Sequence, residues 1–365
     1  MTRRRPFAIS LLTAVMTLAL LVPSAAASGP QVKVIASGLD NPRGLTVGPS
    51  GVVYVTEAGS GGTLVCMPGP EGGDVCGGKS GAITKITSHG QRRVVRGLPS
   101  FAAPDGSSAI GPSDIAFSNH GKAFVTLGLG ADPAVRAGLP KGLKSAGWLI
   151  RANVHSGHWA RYVDIAGFEA KKNPDGVVPD SNPNSVAIGR LGRVVVADAG
   201  GNDLLSVRKH HRTKVLAVFP ATPGVPSPFG PVDMQAVPTS VARGPHGSWY
   251  VGQLTGFPFP VGGAKVFKVV PGKAPKVVAE GFTNIIDIAV AKDGSLLVLE
   301  IARNGLLSGD LAGRLVKVKK DGTQKEIVVD GLVAPGGLAV GRNGAIYISN
   351  YSVFPDMGQV LKVTW

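Results

Sequence analysis

One phrase recurs along the chain and limits what it can fold into. It reads RGLTVGPSGVVYVTE at residues 43–57 and GGLAVGRNGAIYISN at residues 336–350. GPSDIAFSNHGKAFVTLG from Gly111, PNSVAIGRLGRVVVADAG from Pro183, PTSVARGPHGSWYVGQL from Pro238 and IIDIAVAKDGSLLVLEI from Ile285 are variants of it. In each, a short apolar run meets a Gly-containing turn and a Val/Ile/Leu/Tyr-rich run follows, which is the signature of a β-hairpin. A third apolar stretch (GAITKI, GWLIRA, LLSVR, KVFKVV, RLVKV, QVLKV) and, in five copies, a fourth (RRVVRGL, ARYVDI, KVLAVF, KVVAEGF, KEIVVDGL) complete four-stranded antiparallel units. The copies start about 50 to 70 residues apart, a spacing that suits propeller blades carrying insertions.

A lone four-stranded sheet has two faces to bury, and blades ranged around an axis bury them for one another. A β-sandwich would not require six copies of one hairpin. The expected fold is therefore all-β, a six-bladed β-propeller. The last copy ends at QVLKVTW without a fourth strand, whereas VKVIASGL at residues 32–39 matches KEIVVDGL with no hairpin before it. The N-terminal strand is expected to complete the last blade and close the ring. With 365 residues and 44% hydrophobic content the repeats make one domain, residues 28–365. No long helical periodicity appears within it.

Residues 1–27 combine a basic start, an apolar stretch from about Phe7 to Val22 and a small-residue site at Ala25–Ala27, which reads as a cleaved secretory signal. The mature protein is expected outside the cytoplasm, without a transmembrane segment and as a monomer. In that compartment Cys66 and Cys76 should pair, holding a Gly/Pro-rich loop. The net charge of +15, about +12 once Arg3, Arg4 and Arg5 leave with the signal, favours anionic partners such as envelope polymers or acidic small molecules. Nucleic acid is not expected as a partner of an exported chain.

Several motifs mislead. GDVCGGKS at residues 73–80 satisfies the phosphate-loop expression, yet a phosphate loop needs a strand before it and a helix after it, and here the strand AITKI follows. His155 with His158, and His210 with His211, lack neighbouring Cys, Asp or Glu to complete a metal shell. The basic run 208–214 suits a solvated turn between strands. No nucleophile elbow, HExxH or EF-hand loop occurs.

Sorting the connections by blade end places every long loop (57–81, 99–111, 128–146, 168–183, 220–237, 254–263, 301–312, 351–358) at one end and the short Gly turns at the other. Insertions gathered on one face mark the binding face of a repeat protein. Glu57, Asp198 and Glu300 end second strands there, with Gln253 and Asn350 at equivalent places, and Asp114 and Asp287 begin first strands beside the axis. If ring geometry gathers Glu57, Asp198 and Glu300, they are the candidate ligands of a divalent cation, calcium or magnesium. The alternative is that each caps amides in its own blade. ADAGGNDLL adds Asn202 and Asp203 around a Gly pair, and LTGFPFPVGG offers Phe257 and Phe259, stiffened by prolines, for stacking on a ring or sugar.

QAVPTSVA, LTGFPFPVG, GFTNIIDIA, LEIARNGLLSGD, DSNPNSVAI and GPSDIAF together resemble the ScyD/ScyE family of exported proteins over essentially the whole mature chain. The resemblance implies a six-bladed propeller of the NHL and SMP-30-like group, outside the cytoplasm and without an established reaction. Gln253 departs from it, standing where the family is expected to carry Glu. The early EGP-type motif of SMP-30-like lactonases is missing, so that activity is not carried over. Two readings follow: a protein that binds a ligand or partner on its long-loop face, or an enzyme, either a metal-dependent hydrolase or lactonase or a quinone-type oxidoreductase.

Overall fold

In the computed structural model, Met1 and residues 29–365 are described, apart from residues 49, 70–71, 119–120, 208–211, 320–321 and 323–324. The secretory signal expected at 1–27 lies outside the described residues save for Met1, as do His210 and His211. Six four-stranded antiparallel blades form a six-bladed β-propeller.

Blade one runs Pro42–Val47, Val53–Glu57, Asp74–Thr87 and Gly90–Ala102. Blade three runs Pro183–Ile188, Val194–Asp198, Asp203–Val207 and Thr213–Val218, and blade five Ile285–Val290, Leu296–Glu300, Ala312–Val318 and Lys325–Val333. In blade six, Gly337–Val340, Ile346–Asn350 and Gly358–Thr364 are completed by the N-terminal strand Gln31–Leu39, antiparallel, with Val32 opposite Val363 and Val34 opposite Leu361. The ring is closed as the unmatched strand at each end of the sequence requires.

The six hairpin turns share one geometry. In each, an amide bonds the carbonyl four residues on, from Gly48 to Val52 in blade one and from Ala291 to Ser295 in blade five. The glycine just before that carbonyl residue has positive φ, 80° at Gly51 and 80° at Gly294. A left-handed residue closing a three-residue hairpin costs least at glycine, which explains its recurrence in the phrase.

Period-two alternation sends successive side chains to opposite faces of each blade. Val196 and Val194 pack towards blade two (Pro112–Phe117, Ala123–Leu127, Trp148–Ala152 and Trp159–Asp164) with Leu149 and Phe124, whereas Val195 and Ala197 pack towards blade four (Pro238–Arg243, Trp249–Gln253, Ala264–Val269 and Lys276–Phe282) with Trp249 and Val251. One apolar cluster fills each of the six interfaces between blades, and each fully buried Leu, Ile or Val contributes roughly 1.5–3 kcal/mol.

Three segments differ from the sequence expectation. The Cys66–Cys76 disulfide, 4.1 Å between Cα atoms, does not hold an open loop: Val65–Pro68 pairs with the start of Asp74–Thr87, and the two cysteines face each other across that ribbon. The phosphate-loop look-alike lies within this long strand, and no helix follows it. Residues 220–237 hold a small hairpin, Thr222–Val225 with Val232–Met234. The region before residue 173 contains a short helix, Ile165–Lys172, capped by Asp164, which accepts from the Gly167 amide, and ended by left-handed Asn173. At eight residues it is too brief for an apolar period to register. Its signal was the Asp at one end and Lys171 and Lys172 at the other.

Candidate functional site

The acids that end second strands do not converge. Glu57 is fully buried and accepts from the Asp40 amide at 2.9 Å, the Thr84 hydroxyl at 2.5 Å and Arg93 at 2.6 Å. Glu300 accepts from the Thr283 amide at 2.5 Å and pairs with Arg314. Asp198 accepts from the Asn182 amide at 2.6 Å and the Ser181 hydroxyl at 2.7 Å, and Asn350 from the Val333 amide at 2.8 Å. Each group satisfies the backbone just before its own blade's first strand. The expectation of one cation shared by Glu57, Asp198 and Glu300 is corrected by this geometry, because a side chain held by its own blade does not reach the axis. Among the described residues no group of three or more His, Cys, Asp or Glu is arranged to hold a metal ion. Gln253, the departure noted in the sequence, has an unpartnered Oε1, and in its blade the corresponding amide, that of Val237, is taken by Asn202 Oδ1 at 3.0 Å.

The first strands line the axis, and the blades are stitched there by hydrogen bonds. Ser349 Oγ donates to the Arg43 carbonyl, Thr56 Oγ1 to the Ser113 carbonyl, Ser113 Oγ to Asn184 Oδ1, Asn184 Nδ2 to the Thr239 carbonyl and Thr239 Oγ1 to the Ile285 carbonyl. Asp287 makes the remaining link, accepting from the Leu338 amide at 2.7 Å. Asp114 accepts from Ser185 Oγ at 2.8 Å and the Val186 amide at 2.9 Å. Asp114 and Asp287 thus stand on the channel wall, as their place at the start of first strands suggested.

Burial raises the Asp114 carboxyl to about 6, and burial with repulsion from Asp114 holds Asp287 well above the carboxylate range. Burial lowers Arg43, also on the wall, to about 10; it donates to the Ala109 carbonyl at 2.7 Å. The channel's free space for a water-sized occupant is about 20 Å³, enough for a water or a lone ion and too little for a sugar or lactone. Arg43, Asn184 and Thr239 also line this wall and were not among the residues expected there. Their signal was the second position of the first strand, beside the aspartates that were expected.

On the long-loop face, Phe257 and Phe259 are half-buried with centroids 6.5 Å apart, and Phe229, 87% exposed on the small hairpin, lies 6.0 Å from Phe257. Asn202 is held by Asp175, the Gly200 carbonyl and Gln235, and Asp203 is fully buried. His155 and His158 lie in an exposed turn whose amides are capped by Asn153 and Ser156.

No protein-family profile matches the chain, and no curated protein matches it. Many solved structures share its fold. A gluconolactonase from Xanthomonas campestris matches at 9% identity with a TM-score of 0.55, over 92% of this chain and 89% of that one. The PQQ-bound aldose sugar dehydrogenase of Streptomyces coelicolor matches at 15% identity with a TM-score of 0.51, over 92% and 98%. Regucalcin, a calcium-binding protein of Agrobacterium tumefaciens, matches at 11% with a TM-score of 0.50, over 92% and 93%. These identities establish a shared six-bladed ring and leave the chemistry to this chain's own residues.

Proposed function

We propose that this chain is an exported, ScyD/ScyE-like binding protein that uses its long-loop face to hold an anionic, ring-bearing polymer of the cell envelope. The observation that carries the reading is the row of three phenylalanines on that face, Phe257 with Phe229 on one side at 6.0 Å and Phe259 on the other at 6.5 Å between ring centroids, and Phe229 87% exposed. A side chain of that size left in water costs hydrophobic free energy that a stacked sugar or other flat ring would recover. The net charge of +15 supports an anionic partner, and the paired cysteines and the basic, apolar N-terminus support an extracytoplasmic location.

Binding is favoured over metal-assisted hydrolysis because Glu57 and Glu300 are neutralised inside their blades by Arg93 and Arg314. The test is co-sedimentation of the mature protein with peptidoglycan–teichoic acid sacculi, with neutral cellulose and with chitin. Retention on sacculi that weakens with salt and is lost in Phe229→Ala/Phe257→Ala is expected. Folded wild-type protein that stays in solution with all three polymers, or a double variant that still binds, would overturn the reading.

A further inference from the structure

The top of blade three carries a charge arrangement unlike its counterparts. Asp198, the last residue of the second strand, lies directly opposite Asp203, the first residue of the third. In blade five the same register sets Glu300 opposite Arg314, and in blade one Glu57 is met by Arg93. Like charges paired directly across a sheet destabilise it, and these two aspartates are 1% and 0% exposed. Among the described residues, neither carboxylate oxygen of Asp203 has a hydrogen-bond partner.

More negative charge surrounds them. Glu169, on the short helix, is 2% exposed with Oε1 unpartnered, and Asp180 in the following loop has an unpartnered buried Oδ1. Asp175 is close enough to add its field. Among the described residues no Lys or Arg forms an ion pair with any of the five. Burial, and after it repulsion from the neighbouring acids, pushes Asp203 well above the carboxylate range and Glu169 to about 7. The backbone leaves room beside them: a Cβ on Gly201 would fall 2.9 Å from Glu169 Oε2, so the glycine keeps open the space the carboxylate faces.

We propose that a calcium ion binds between Asp198 and Asp203 and takes the place that an arginine fills in blades one and five. The donors are all oxygens, several of them carboxylates and none of them His or Cys, which selects a hard cation. Asp198 and Asp203 are fixed by strand pairing. No three of these acids already converge on one point; in the proposal Glu169, on the short helix, and Asp180, in the loop after it, close on the ion as it binds, and a shell completed in this way suits calcium better than the strict octahedron of magnesium. The proposal is independent of polymer binding at the phenylalanines.

The experiment is calorimetric titration of chelator-treated mature protein with CaCl2 and with MgCl2, followed by thermal melts. One calcium per chain is expected, with magnesium weaker, and a rise in melting temperature of about 4 °C at saturation. Asp203→Asn should weaken calcium binding on the order of tenfold or more, whereas Asp114→Asn, on the channel wall, should leave it unchanged. Glu169→Gln, outside the sheet, provides the same reading should Asp203→Asn fail to fold. Wild-type protein that binds no calcium at millimolar concentration, or undiminished binding in a folded Asp203→Asn or Glu169→Gln variant, would overturn the proposal.

Discussion

Blade five and blade three present the same strand register at the long-loop end and resolve it in opposite ways. In blade five Glu300 faces Arg314, and the carboxylate's remaining capacity goes to the Thr283 amide. In blade three Asp198 keeps the amide cap, to Asn182, but faces Asp203. The shared part, the cap, is what the fold needs in each blade. The part that differs is free to serve something else, because the ring closes with either residue opposite. A structural role is therefore read from what the repeats share, and a local role from what one repeat does alone.

The largest effect that would sharpen this contrast is on pH dependence. Burial first, and the neighbouring acids with it, raise Glu169 to about 7, Asp198 to about 6 and Asp203 well above the usual carboxylate range. For an acid whose folded value exceeds its unfolded one, the folded state holds the extra proton, so its stabilisation is complete below about pH 4 and is lost as pH rises through 6 and 7. Calcium-free protein should lose stability in urea unfolding between pH 4.5 and 7.5, and Glu169→Gln should shrink that loss, which separates the blade-three share from that of Asp114 and Asp287, raised by burial on the channel wall. A flat profile would break the contrast.

Removing the partner in blade five comes next. Arg314→Met should cost about 3 kcal/mol by leaving Glu300 buried and uncompensated. In blade three Asp203→Asn should act in the opposite direction, raising calcium-free stability at pH 7.5 and changing it less at pH 4.5, because burial and the neighbouring acids disfavour the charged Asp203 carboxylate. Equal losses from both substitutions would mean the two blades are built alike. The smallest effect is that of Gly201→Ala, about 1 kcal/mol or less in calcium-free stability, since the new Cβ would meet the far end of the flexible Glu169 side chain. Its calcium response should nevertheless fall more than that of any substitution in blade five.

Much of the ring was legible in the sequence, because the physics that makes it is local and repeated: a left-handed glycine in each hairpin turn, alternating apolar residues, and an unmatched strand at either end. The short helix at Ile165–Lys172 escaped because eight residues carry too little period. The site was less legible. Sequence spacing gave Asp198 and Glu300 the same status, since both end a second strand, and nothing in either residue tells what will stand opposite after folding. Arg314 and Asp203 decide that, and they occupy equivalent places only once the register is known, because the loop before Arg314 is longer than the one before Asp203. Glu169 reaches the same cluster from outside the blade, a proximity no repeat alignment contains.

The pairing of Val32 with Val363 has a consequence for biogenesis. The strand Gln31–Leu39 leaves the ribosome early and must wait unpaired until Gly358–Thr364 has been made. Closure of the ring thus ties the two segments most distant in the sequence into one sheet: without Gly358–Thr364 the strand Gln31–Leu39 is an unsatisfied β-edge, open to aggregation or proteolysis until they meet.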